Sequence, residues 1–193
     1  GEEVLRALYH RARHIEAVEL NPDIVRLVRD DHADFAGRLY QRPEVAVHVA
    51  DERGFIATTR QRYDLIQLPL SGAAGGTGAL GESYLFTLEA FERYLEHLAP
   101  GGWLAVNRWL RLPPRDSLKL VATARAALAA SGIDDAWRRL ALIRSWGTTT
   151  LLVKNGVIET EETRRIRSFA DSRGFDLVYY PGMQRAEANR FNI

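Results

Sequence analysis

Apolar positions along this chain recur with two periods, and the two periods alternate. His14 leads into Ile15-Glu16-Ala17-Val18-Glu19, a short strand that ends in an acid. The stretch from Asn21 to about Phe35 follows a helical period, with Ile24, Leu27, Val28 and Phe35 expected inward. Asn21 is a good N-cap, Pro22 suits the first helical position, and Asp23 complements the helix dipole. Glu44 to Val49 alternates Val45, Val47 and Val49 as a second strand. A short helix spans about Asp51 to Arg60, and Tyr63 to Leu68 is a third strand. The run Ser71-Gly72-Ala73-Ala74-Gly75-Gly76-Thr77-Gly78 is too glycine-rich for regular structure and reads as a candidate lid.

The second half continues the pattern. Thr87 caps a helix striped by Leu88, Phe91, Leu95 and Leu98, which Pro100-Gly101-Gly102 stops. Trp103 to Val106 reads as the next strand. Pro113-Pro114 precedes a helix to about Ala130, with Leu118, Val121 and Leu128 inward and Gly132 as its stop. Leu140 to Ile143 and Thr148 to Val153 read as paired strands, with Trp109, Trp137 and Trp146 packing the far half of the sheet. Thr160 caps a last helix bearing Ile166 and Phe169 and stopped by Gly174, and Phe175 to Tyr180 closes as a strand. Alternation of this kind predicts an α/β, Rossmann-like doubly wound fold: a mostly parallel sheet with a C-terminal antiparallel strand pair. The expected organisation is one domain over 1–193, with 157–193 as a C-terminal appendage.

The opening of the chain changes this picture. Glu2 to Leu8 reads as a helix with Val4, Leu5 and Leu8 on one face, yet no strand precedes it. Gly1 lies 18 positions before Glu19, close to the glycine-to-acid spacing of about 20 in dinucleotide-binding units. The expectation is a chain cut inside a glycine turn, lacking its first strand. Exposed strand edges would then favour a homo-oligomer and weaken any cofactor site.

Composition removes several chemistries. A net charge of +1 in 193 residues carries no footprint for nucleic acid or an anionic membrane. With no cysteine there is no disulfide or thiolate chemistry, which suits a reducing, cytoplasmic setting. No apolar run approaches the roughly 20 residues of a membrane span, so this segment is expected to make no membrane contact, although a parent protein could be membrane-attached. His10, His14, His32, His48 and His97 lack metal-ligand spacing and read as surface residues; no metal is expected. Ser71 lacks a nucleophile-elbow context.

What remains is a set of strand ends. Glu19, Asp51 and the segment Gln67-Leu68-Pro69 fall at the carboxyl ends of successive strands, where open α/β sheets bind ligands. A carboxylate after one strand can accept from both ribose hydroxyls, and a carboxylate after the next from the exocyclic amine of adenine. One such acid also occurs in nicotinamide dehydrogenases; two on consecutive strands point to an adenosyl ligand of the S-adenosylmethionine type.

Val18-Glu19-Leu20-Asn21-Pro22, Val49-Ala50-Asp51-Glu52-Arg53-Gly54-Phe55, Tyr63-Asp64-Leu65-Ile66 and Ser83-Tyr84-Leu85-Phe86-Thr87 resemble the spermidine synthase-like transferases of the S-adenosylmethionine-dependent methyltransferase superfamily. The resemblance covers roughly Gly1 to Val106. It implies that Glu19 binds the ribose and Asp51 the adenine of S-adenosylmethionine or decarboxylated S-adenosylmethionine. It further implies that Gly1, Leu20, Glu52 and Leu68 complete the cofactor site, with a small molecule such as a polyamine as the substrate. One departure stands against amine transfer. Aminopropyltransferases place an aspartate just after the third of these strands, to bind and help deprotonate the amine, and here Pro69 holds about that position. Glu82 is the near alternative base, and no catalytic residue is assigned. Two functions therefore stand side by side: a transferase moving an aminopropyl or methyl group, and a catalytically inactive nucleoside-binding or regulatory module.

Overall fold

The first helix, α1 (Glu2–Tyr9), buries Val4 and leaves Leu5 exposed, so its apolar face is narrower than the sequence suggests. This computed structural model describes residues 1–70, 84–111 and 113–188. The candidate lid at 71–78, Ser71, Glu82, Ser83 and the terminal Asn189-Arg190-Phe191-Asn192 lie outside the described residues. The chain divides into two compact units, Gly1–Thr59 and Arg60–Ile193.

In the first unit β1 (Ile15–Glu19) and β2 (Val45–Val49) form a parallel pair in register from Ile15↔Val45 to Glu19↔Val49. Strand alternation puts Ile15, Ala17, Val45 and Val47 on one face, against Val4, Val25, Leu39 and Tyr40. Helix α2 (Pro22–Arg26) begins as expected: Asn21 Oδ1 accepts from the Asp23 N–H at 2.9 Å and Pro22 occupies the first turn. Its inward face differs. Val25 and Val28 point into the core, whereas Ile24 and Leu27 are exposed and Phe35 is 95% exposed. A π turn follows over Leu27–Asp31, ahead of Phe35, in which the His32 N–H bonds the Leu27 carbonyl at 2.8 Å. An i→i+5 turn shifts the phase of every later side chain. Gly37 and Arg38, both left-handed, then turn the chain so that the 3₁₀ turn Leu39–Gln41 returns to the core. Asp51 caps α3 (Glu52–Thr58).

The second unit holds a five-stranded sheet in the order β3-β4-β6-β5-β7. Its strands are β3 (Tyr63–Leu68), β4 (Leu98–Trp109), β5 (Leu140–Arg144), β6 (Thr148–Lys154) and β7 (Asp176–Tyr179). Helices α4 (Leu88–Glu96), α5 (Arg115–Ala130) and α6 (Thr160–Arg173) complete it. β3 and β4 are parallel; β4-β6, β6-β5 and β5-β7 are antiparallel. The expected antiparallel pair is thus extended by β7. The fold class is α/β, as the alternation predicts.

Four local expectations are corrected here. β4 is 12 residues long and runs through Pro100-Gly101-Gly102, which had read as the stop before a short strand. Gly101 adopts φ +78° and the register with β3 slips between Tyr63 and Leu65, so the strand absorbs the glycines in a bulge. In α5 the inward residues are Ser117, Leu120, Ala124, Ala127 and Leu128, whereas Leu118 is 67% exposed. α6 is capped by Glu159 in a capping box with Glu162, and Thr160 is already helical; of its two apolar residues, Ile166 packs on the core and Phe169 is exposed. Trp109 and Trp137 are exposed and Trp146 is 83% exposed, so none of the three fills the sheet. Trp137 instead stacks under Arg125, 4.5 Å from its ring centre, and meets Tyr179 edge-on. Thr87 does cap α4, accepting from the Ala90 N–H at 3.3 Å, and Gly174 ends α6 in the left-handed region.

Candidate functional site

Parallel pairing fixes which ends of β1 and β2 coincide. Glu19 pairs with Val49, and the Ala50 N–H bonds the Glu19 carbonyl at 3.2 Å. Glu19 and Asp51 therefore stand at the carboxyl tips of adjacent strands, within one unit. The two carboxylates are held alike. Glu19 Oε1 accepts from the Asn21 N–H at 3.0 Å, and Asp51 Oδ1 accepts from the Gly54 N–H at 2.7 Å. Each turn from strand to helix supplies that donor: Asn21-Pro22 opens α2 and Asp51 itself caps α3. The second oxygen of each has no hydrogen bond to a described residue, and neither carboxylate joins an ion pair with one. Anchored at one oxygen and open at the other, each is oriented without being neutralised.

Of the other residues expected in a cofactor site, Leu20 is exposed just past Glu19 and Glu52 begins α3 beside Asp51. Gly1 is the N-cap of α1, and a Cβ added there would meet Leu39 Cδ2 at 3.5 Å. Leu68 belongs to the second unit, buried at the end of β3 and paired with Val106. Pro69 follows it, exposed.

Sequence reasoning missed two features of the first unit. Tyr40 is 7% exposed and belongs to the core cluster of the first unit, with Val4, Val25 and Leu39. Burial, and then the charge of Glu19, push its phenol pKa above the ordinary range. Neither periodicity nor spacing marks Tyr40; a lone aromatic in a turn gives no signal. On the face of β1 away from that cluster, Glu16 bridges two histidines, His14 Nε2 at 2.6 Å and His48 Nε2, so these are not simple solvated rings. Burial pushes the Glu16 pKa up, but the His14 and His48 hydrogen bonds outweigh it and hold the carboxyl below the usual range. Among the described residues no group of three His, Asp or Glu side chains is placed to hold a metal ion. A shallow cavity of about 480 Å³ near Asp30, Asp34 and Phe35 lies elsewhere on the unit, its carboxylates engaged by Arg26, Arg29 and Arg38.

No protein-family model matches the chain, and no curated protein sequence matches it. Solved structures do. A spermidine synthase in complex with the transition-state analogue AdoDATO superposes with a TM-score of 0.56 at 15% identity, over 88% of this chain and 55% of that one. The spermidine synthase of Thermotoga maritima gives 0.55 at 14%, over 86% and 55%. Human methyltransferase-like protein 13 in complex with SAH gives 0.52 at 20%, over 82% and 70%. The chain has the spermidine synthase-like methyltransferase fold. At such identities the likeness speaks for architecture, and the chain spans 55% of the length of the two spermidine synthases. In this fold Glu19 and Asp51 lie at the strand edge where α/β sheets take ligands.

Proposed function

We propose that the chain binds an adenosyl sulfonium, S-adenosylmethionine or its decarboxylated form, and acts as a transferase on a small molecule. Glu19 takes the ribose hydroxyls and Asp51 the adenine amine, with Gly1, Leu20 and Glu52 as further contacts. The observation that carries this reading is the pair of strand-tip carboxylates, each fixed by a backbone N–H and open at its other oxygen. The ligands of two fold neighbours, AdoDATO and SAH, are of the same adenosyl class. Bound there, the sulfonium supplies an electrophilic carbon beside positive sulfur, and the protein's share is orientation.

A second reading is favoured by Pro69. Neither Leu68, Pro69 nor Leu70 can accept a proton or pair with an ammonium, so a polyamine reaching the end of β3 finds no carboxylate on it to offset desolvation. A module that binds the nucleoside without transferring a group is consistent with that tip. Calorimetry with S-adenosylmethionine, its decarboxylated form and NAD tests both readings. Heat is expected with an adenosyl sulfonium and not with NAD. Asp51→Asn should weaken binding about tenfold, the size of one charge-assisted hydrogen bond. No heat with either sulfonium removes both readings; binding without turnover on amine or methyl acceptors leaves the second.

A further inference from the structure

We propose that the end of the second unit's sheet where β4 meets the β5–β6 hairpin is a peripheral docking surface for an anionic lipid bilayer. This inference stands apart from the adenosyl reading. Two stretches of chain build the surface. One is Trp109-Leu110-Arg111 with the start of α5, which carries Arg115, Leu118 and Lys119. The other is the tight turn from β5 to β6 around Trp146, closed by the Ser145 N–H donating to the Thr148 carbonyl at 2.8 Å. Three links hold the two together. Trp109 lies opposite Thr148 in the β4–β6 register, and the Leu110 N–H donates to the Gly147 carbonyl at 2.8 Å. Ser117 Oγ meets Thr149 Oγ1 at 3.2 Å, which ties the first turn of α5 to β6.

Apolar bulk and positive charge coincide there. Trp146 is 83% exposed in its turn, Trp109 is exposed at the tip of β4, and Leu118 is exposed one residue past the buried Ser117. Arg111, Arg115 and Lys119 are exposed and form no ion pair with a described residue. Asp116 is the one acid between Trp109 and Lys119. By contrast Arg93 pairs with Glu96, and Arg164 and Arg165 both pair with Glu161. The net charge of +1 averages this local excess away, so composition gives no sign of it. Tryptophan settles at the boundary between headgroups and acyl chains. Cations close to an anionic leaflet add attraction within a Debye length. Shallow apolar contact and a basic rim together hold what neither holds alone. A nucleic acid would also meet the cations, but aliphatic Leu118 offers a base no ring to stack on. No described helix is long and apolar enough to cross a membrane, so the contact proposed is peripheral.

The test is co-sedimentation with vesicles of phosphatidylcholine alone and of phosphatidylcholine mixed with phosphatidylserine. The protein should bind the mixed vesicles, release them as salt rises, and leave pure phosphatidylcholine unbound. Arg111→Gln with Arg115→Gln should weaken binding about tenfold, and Trp146→Ser by about the same factor. All three positions are exposed, so urea unfolding should match each variant to wild type. Arg164→Gln with Arg165→Gln removes the same charge from α6 and should leave vesicle binding unchanged. No binding to the mixed vesicles overturns the proposal, and equal binding to pure phosphatidylcholine does the same. So does undiminished binding by the Arg111, Arg115 and Trp146 variants, which would move the contact elsewhere. An equal loss from the α6 pair overturns it too, since total charge would then be the cause. Retention of single-stranded poly(U) in place of vesicles, lost with Arg111 and Arg115, gives the surface to a nucleic acid instead.

Discussion

A carboxylate at a strand tip can be solvated, paired or oriented, and the difference lies in single hydrogen bonds. Glu19 and Asp51 are oriented: one backbone donor each, at 3.0 and 2.7 Å, with no cation among the described residues to neutralise them. Glu16, three residues before Glu19, is engaged from both sides. Its carboxylate is 15% exposed and is held by His14 and by His48 of the neighbouring strand. Those bonds overcome the effect of burial and depress its pKa from 4.5. A depressed carboxyl pKa contributes stability above the unfolded value, and that contribution is lost as pH falls through the folded one. Urea unfolding from neutral pH down to about pH 3 should therefore show a decline below 4.5 that Glu16→Gln makes shallower. A variant with the same slope as wild type would remove the bridge as its source. The two tip acids were legible in the sequence because each follows an apolar alternation, and a capping signal stands just after Glu19. Glu16 and Tyr40 were not, because their partners lie 32 positions away or act through a fold not yet known.

At the scale of elements, several caps were legible, whereas the Glu159 cap, the strand through Pro100-Gly101-Gly102 and helix phase were not. Asn21, Thr87 and Gly174 act locally, through bonds to residues two to four positions away, so residue type alone announces them. Phase depends on what covers the helix. α5 carries two competing stripes, Leu118 with Val121 and Leu120 with Ala124 and Ala127. α4 packs against it, and small alanines let the two helices approach, so the stripe with less apolar bulk turns inward. The stability cost should follow burial. Leu120→Ala is expected to lose about 2–5 kcal/mol by urea unfolding, and Leu118→Ala no more than about 0.5 kcal/mol. Near-equal losses would mean the phase is wrong. β4 gives a sharper case at Gly102, where an added Cβ would lie 2.7 Å from the Tyr63 carbonyl oxygen and 2.9 Å from that of Ala99. Both are backbone atoms, fixed by the bulge where the register slips. Gly102→Ala should cost about 1–3 kcal/mol, the range for forcing an extra methyl into packed structure, whereas a neutral outcome would show that the bulge relaxes.

For the whole molecule, α/β class was legible because helical and strand periods alternate over the whole length, and a two-period pattern survives errors in any one boundary. The extension of the antiparallel part by β7 was not, since pairing direction leaves no mark on the strand's own residues. Function at this scale is best tested through linkage, which needs no knowledge of the acceptor. The proposed ligand contacts need the native turns that anchor Glu19 and Asp51, so the unfolded chain cannot reproduce them. Anything that binds only the native state stabilises it by RT ln(1 + [L]/Kd), about 2.7 kcal/mol at a hundred times Kd. S-adenosylhomocysteine at that excess should raise the unfolding free energy by this amount. The double variant Glu19→Gln, Asp51→Asn should lose most of the gain while its ligand-free stability changes far less, because both amides keep an oxygen to accept the Asn21 and Gly54 N–H groups. A transferase and a non-catalytic module predict the same shift, so a null result counts against both, and a shift that persists in the double variant would move the ligand away from the two strand tips.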